Sequence, residues 1–236
     1  MHDAGPGAPI EPPAPAGLVA EAWGLLELPR LLLRFPHLAR QPRGRGEPVL
    51  VLPGYGAGDA STLVLRTYLR FLGYDARGWN LGRNAGDVRA LMPRVLAAVD
   101  ALAQDSRRPV TLVGWSLGGY IAREAARERP ERIPLVITLG SPVVGGPKYT
   151  LVADAYRRRG VDLDALEAQV AARNAIPLRA RVVAIYSRAD AVVAWRACID
   201  HHGPTVEHVE VGTTHVGLGF SPDVYAIIAR RMADSA

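Results

Sequence analysis

Cysteine is all but missing from this chain: Cys198 stands alone among 236 residues. A single thiol closes no internal disulfide, which excludes the stapled frameworks of small secreted domains. Lysine is nearly as scarce, with Lys148 the sole lysine among 28 basic residues. The formal charge of +5 is therefore carried by arginines spread along the chain among 23 acids. That is a basic background rather than a polyanion-binding patch. Neither an aromatic RNA-binding signature nor a helix-turn-helix pattern accompanies it, so no nucleic-acid partner is expected. No run approaches the ~20 apolar residues that cross a bilayer, and no charged-then-apolar leader opens the chain. The expected location is cytoplasmic. Cysteine and histidine do not cluster at ligand spacings, so neither a metal nor an organic cofactor is expected.

What is present suits one α/β domain. Apolar residues make up 49% and charged residues 22%, ordinary values for a globular protein. Residues 1–17 are rich in proline and small residues and read as a disordered leader. Residues 18–47 read as a helical segment broken near Pro29 and Pro36. A helix packed on the domain is the reading adopted there, because Glu21 and Glu27 interrupt the basic residues. An amphipathic segment in weak contact with a membrane surface, or a flap near a substrate entrance, is the alternative.

From residue 48 to 236 the pattern alternates. Strands are predicted at 49–52, 75–79, 110–113, 133–139, 181–186 and 206–211. Helices are predicted after Asp59, which would cap the first, and over 87–104, 120–128 and 222–232. Such repeated units predict a mostly parallel central sheet with helices on both faces. One connection, 141–181, is far longer than the usual ~4–6 residues. Its helix over 162–173 and basic stretch Arg157-Arg158-Arg159 make 143–178 a candidate lid.

The most informative motif is Gly114-Trp115-Ser116-Leu117-Gly118-Gly119, at a strand-to-helix junction. Glycines two residues to either side let the serine occupy a sharp turn with its hydroxyl above the sheet. A serine hydroxyl needs a base, and the base an orienting carboxylate. His215 follows the last strand in Gly212-Thr213-Thr214-His215-Val216-Gly217, at the sheet end where open α/β proteins place their sites. Asp190 follows the preceding strand on the same rim, with Asp200 a more distant competitor. The loop Pro53-Gly54-Tyr55-Gly56 after the first strand offers backbone N–H groups, and Leu117 offers another at a helix start. Tyr55 and Leu117 are the chosen oxyanion donors. That loop lacks the lysine of a phosphate-binding Walker motif. Trp115, Val143, Val144, Trp195 and Leu218 flank these motifs and are the expected walls of an apolar substrate pocket.

Leu52-Pro53-Gly54-Tyr55-Gly56, Gly114 to Gly119, Ser187-Arg188-Ala189-Asp190 and Thr214 to Leu218 together resemble the α/β-hydrolase superfamily. Within it the chain is similar to bacterial serine lipases and esterases. The likeness covers about residues 48–233 and implies an α/β-hydrolase fold. It also implies Ser116 as nucleophile, His215 as base and Asp190 as its partner, with backbone amides of Tyr55 and Leu117 as the oxyanion hole. Where many lipases carry His-Gly in that loop, this chain has Pro53-Gly54, so only main-chain donors remain. The implied activity is hydrolysis of a small-molecule or lipid ester through an acyl-enzyme, without a cofactor. The rival readings are a membrane-associated lipid acyltransferase and a non-catalytic binding member of the fold.

Overall fold

The computed structural model describes residues 9–201 and 206–234. Six strands form one sheet: β1 Pro48–Leu52, β2 Asp75–Gly78, β3 Thr111–Trp115, β4 Leu135–Leu139, β5 Arg181–Tyr186 and β6 Val206–Glu210. Their order is β2-β1-β3-β4-β5-β6, and every neighbouring pair is parallel. The chain first builds leftward from β1 to β2, then returns to add β3 on the other side. That reversal opens a crevice beyond the carboxyl ends of β1 and β3, the position at which such sheets bind ligands.

The strands alternate their side chains between two cores. Val49 and Val51 face one cluster with Leu65, Leu69, Val224 and Ile228, from the helices Leu63–Phe71 and Pro222–Ala233. Leu50 and Leu52 face the other, with Val95, Val99 and Ile121, from the helices Val88–Ser106 and Leu117–Glu128. All five residues of β1 and of β4 are buried, as a strand covered on both faces requires.

Two local expectations change. Asp59 begins a 3₁₀ turn over Asp59–Thr62, and its carboxylate accepts from Asn80 N–H at 3.0 Å rather than capping a helix. Within the span expected to be a disordered leader, residues 1–8 lie outside the described residues. Its remainder meets the domain: Ile10 packs against the cluster of Val193, Ala197 and Cys198.

The long connection is tied down by buried charge. Arg123, 1% exposed in the Leu117–Glu128 helix, pairs with Asp200 and donates to Asn174 Oδ1 at 2.7 Å. Asn174 ends the helix Leu163–Asn174 and donates to the Val143 carbonyl at 2.9 Å. Arg173, beside it, binds Glu124 at 2.7 Å. Removing one partner of such a pair strands the other charge. Asp200→Ala is therefore expected to cost about 3–5 kcal/mol in urea unfolding. Replacing Arg123 and Asp200 together with apolar residues of similar volume is expected to cost much less.

Candidate active site

β3 delivers Ser116 into a backbone conformation that side-chain-bearing residues avoid. Its φ of 55° and ψ of −126° cost on the order of 1–3 kcal/mol. The turn is pinned by Ser116 N–H donating to the Leu139 carbonyl at 2.7 Å and by Gly119 N–H donating to the Ser116 carbonyl at 2.9 Å. A Cβ on Gly118 would collide with the Leu52 carbonyl. Glycine there lets the Leu117–Glu128 helix start directly after the serine and lie against the end of β1.

His215 opens a single helical turn, His215–Leu218, capped by Thr214, whose Oγ1 accepts from Gly217 N–H at 3.2 Å. Its Nδ1 lies 2.6 Å from Asp190 Oδ2. The Asp190 side chain is 0% exposed and that of His215 is 8% exposed. Asp190 Oδ1 accepts from the N–H groups of Val192 and Val193 at 2.8 and 2.7 Å. One carboxylate oxygen is thus committed to backbone and the other to the imidazole. Gly140 holds the space beside them at φ +54°, where a Cβ would come 2.9 Å from Asp190 Oδ2 and 3.0 Å from His215 Nδ1.

Ser116 and His215 both line a cavity of about 180 Å³. Gly54, Tyr55, Trp115 and Leu117 form its near wall, and Pro147, Thr150, Val152 and Tyr156 of the long connection form the far one. Trp115 also donates from Nε1 to the His215 carbonyl at 3.2 Å. In the loop after β1, Gly56 N–H donates to Asn84 O and Ala57 N–H to Gly54 O, at 2.7 and 3.2 Å. No acceptor among the described residues takes the Tyr55 N–H. Leu117 is the first residue of its helix, where N–H groups have no partner within the helix. Fully buried Asn84 shapes the loop by donating to the Pro53 carbonyl at 2.9 Å and accepting from Gly86 N–H at 3.1 Å.

The other residues expected at the pocket lie elsewhere. Val143 is buried behind the cavity at the Asn174 contact, and Val144 N–H donates to the Ala197 carbonyl at 3.0 Å. Trp195 stacks on Tyr186 at 6.0 Å with Arg188 and Arg196 against its ring. Leu218 is fully buried in the core beside Gly140. Sequence adjacency to a motif did not reveal that Pro147, Val152 and Tyr156 fold over in their place. Cys198 is buried, and burial pushes its thiol pKa well up, which leaves it a poor nucleophile.

The residue with the longest reach is Glu21. Buried at 5% exposure, it accepts from Ala191 N–H at 2.8 Å, His215 N–H at 3.2 Å and Val216 N–H at 2.8 Å. It therefore clasps the Asp190 loop and the His215 turn together. Glu27 adds a bond from Thr213 Oγ1 at 2.9 Å. Gly24 allows the close approach, since a Cβ there would fall 2.5 Å from Gly217 N. Sequence patterning gave no signal for this role, because Glu21 stands 170 and 195 residues from the amides it binds.

A doubly wound parallel sheet with a strained serine at its reversal point, on one cavity with a histidine held by a buried aspartate, defines a class of α/β proteins with the site on the carboxyl rim. The chain belongs to the α/β-hydrolase fold family, whose model matches residues 47–184. It is 32% identical over 110 residues to a pimeloyl-[acyl-carrier protein] methyl ester esterase of Shewanella sp. (strain MR-7), a match covering 45% of this chain. The chain spans about two fifths of the length of such curated relatives, 39% in that case. Among solved structures it resembles a metagenome-derived lipolytic enzyme described with LipS and LipT, at TM-score 0.64 and 16% identity, over 82% of this chain and 95% of that one. Mouse alpha/beta hydrolase domain-containing protein 10 follows at TM-score 0.57 and 16% identity, over 83% and 92%. At these identities the structural likeness speaks to the fold.

Proposed function

We propose that this hydrolase cleaves carboxylic esters through an acyl-enzyme on Ser116. The observation that carries the reading is the 2.6 Å contact between Asp190 and His215, with the imidazole and the Ser116 turn on one cavity. Ser116 Oγ attacks the ester carbonyl while His215 Nε2 takes its proton. The developing oxyanion accepts from the amides of Tyr55 and Leu117. As the tetrahedral adduct collapses, the C–O bond to the leaving alcohol breaks and His215 returns the proton to that oxygen. Water, deprotonated by His215, then attacks the acyl carbonyl and releases the carboxylic acid and free Ser116. Relatives named as methyl ester esterases support an ester as the substrate class, and the apolar walls at Trp115, Val152 and Val193 suit an apolar acyl group.

Hydrolysis of p-nitrophenyl esters from acetate to palmitate, with fluorophosphonate labelling of the same preparation, tests the reading. Turnover together with covalent label on Ser116 is expected. Absence of both would overturn it in favour of a binding role, and transfer to an added alcohol in preference to water would make the enzyme an acyltransferase.

Two further outcomes follow from the neighbours of the site. Glu21→Ala leaves three backbone donors without their acceptor, at a cost on the order of 3 kcal/mol. It is expected to lower kcat about tenfold or more with little change in KM, because the histidine loses its fixed position; kinetics and thermal unfolding of one preparation check both. Tyr156 lines the site cavity and also a neighbouring cavity of about 600 Å³ between the long connection and the helix Val88–Ser106. Its hydroxyl donates to the Gly86 carbonyl at 3.1 Å. Tyr156→Ala is expected to join the two spaces and raise the ratio of kcat/KM for long over short esters by on the order of tenfold, since each buried methylene is worth about 0.8 kcal/mol. An unchanged ratio would separate Tyr156 from chain-length selection.

A further inference from the structure

The helical segment over residues 18–38 is built inside out. Its two acids face the protein, Glu21 on the His215 turn and Glu27 on Thr213. Leu31 and Leu38 accompany them inward. Most of its other large apolar residues face solvent, with Val19 79% exposed, Trp23 68%, Leu26 56%, Leu32 76% and Leu33 81%. Of the twelve exposed large apolar residues among those described, nine lie between Leu18 and Phe35. The patch runs on through Phe35, whose ring lies 5.1 Å from that of exposed Phe71. Isolated exposed leucines need no explanation, whereas a contiguous patch of this kind marks an interaction surface.

The charge around the patch selects the partner. With Glu21 and Glu27 turned inward, every exposed charged side chain from residue 18 to 45 is an arginine: Arg30, Arg34, Arg40, Arg43 and Arg45. Arg30 is held by Glu27 and Asp223, and Arg43 lies over the Phe71 ring. The guanidinium groups of Arg34, Arg40 and Arg45 meet no carboxylate among the described residues. A leucine-rich helical face with a tryptophan and a fringe of arginines matches a lipid surface, where apolar side chains enter the acyl boundary and cations meet anionic headgroups. No described helix is long and apolar enough to cross a membrane, so the segment would lie in the interface plane. We infer that the outer face of residues 18–38 docks this protein on anionic lipid surfaces. The docked face lies one helix thickness, about 10 Å, from the backbone of His215, which Glu21 on the opposite side of the same helix binds. The inference concerns binding alone and holds whether or not Ser116 hydrolyses an ester.

The test uses full-length protein and outward-facing substitutions, because deleting the segment would also remove Glu21 and Glu27. Flotation is measured with vesicles of phosphatidylcholine, with and without phosphatidylglycerol, alongside size-exclusion chromatography in the absence of lipid. The unaltered protein is expected to float with the anionic vesicles, and less so as salt rises. The triple variant Trp23→Ser, Leu26→Ser, Leu33→Ser is expected to lose at least tenfold in vesicle binding while keeping its unfolding temperature. Arg34→Glu with Arg40→Glu is expected to lose about fivefold or more per charge. Absence of flotation with either vesicle overturns the inference. So does a lipid-free dimer that the triple variant dissociates, which would assign the face to a second copy. Binding that survives the triple variant overturns it too, since the lipid contact would then lie elsewhere.

Discussion

Ser116→Ala is expected to lower kcat on esters by on the order of 10⁶-fold while leaving a folded protein that still fills its cavity. The magnitude follows from the shared work of the site. In the proposed mechanism, without a nucleophile the histidine has no proton to accept, and only the oxyanion donors and substrate binding continue to help. For the same reason Ser116→Ala combined with His215→Ala should cost no more than either change alone. The turn adds a signature that catalysis alone would not give. Serine and alanine both carry a Cβ at φ 55°, ψ −126°, so the alanine variant keeps the strain. Ser116→Gly relieves it and is expected to exceed Ser116→Ala in stability by about 1 kcal/mol. Ester kinetics and urea unfolding on the three proteins check the two claims independently. Residual turnover above a few parts in a thousand in the alanine variant would remove Ser116 from the chemistry.

Asp190→Asn is expected to cost about 10⁴ in kcat, and the hydrogen bonds around Asp190 say why. Oδ1 accepts from two backbone N–H groups, Val192 and Val193. An asparagine must present its carbonyl to those donors, which aims its NH₂ group at His215 Nδ1. That nitrogen, a donor to the carboxylate, must then become an acceptor, and the ring proton moves to Nε2. Nε2–H can no longer take the proton of Ser116. The site keeps its shape and loses its base. Nitrogen-15 NMR of the imidazole should report the Nε2–H tautomer in the variant, with an unfolding temperature close to that of the parent. A variant that keeps the Nδ1–H tautomer and full kcat would rule out the orienting role.

Much of this architecture could be read from residue order, for local reasons. Buried parallel strands are short apolar runs, and β1, β4 and β5 were legible as such. The meeting of Asp190 with His215 was legible because each follows a strand by a few residues, and parallel strands bring their carboxyl ends to one rim. The serine turn was legible from its glycines. Of the expected cavity walls, Trp115 was legible and the others were not. Val143, Val144, Trp195 and Leu218 neighbour the motifs in sequence, but which side chains face the cavity depends on how the 141–181 connection folds back, and that is fixed by Arg123, Asp200 and Asn174 at long range. In the sequence Glu21 and Glu27 register only as acids interrupting the basic residues of a helix packed on the domain. Their true partners are backbone amides and a threonine beyond residue 190, which no local pattern encodes. The inversion of the 18–38 helix was hidden by the same fact: leucines on both sides of a helix do not say which side the protein covers.

The clasp made by Glu21 has a consequence for the order in which the chain comes into being. Residue 21 leaves the ribosome 170 to 195 residues ahead of the amides it holds, which belong to residues 191, 215 and 216. At ordinary elongation rates of ~5–20 residues per second, some 10–40 s pass before those partners exist. Throughout that interval Glu21 has none of its three amides, whereas Tyr68, which donates to the Leu38 carbonyl, follows that residue by only 30 positions. The rim that carries Asp190 and His215 can close only once residues 191, 215 and 216 have been made and the earlier helix reaches them.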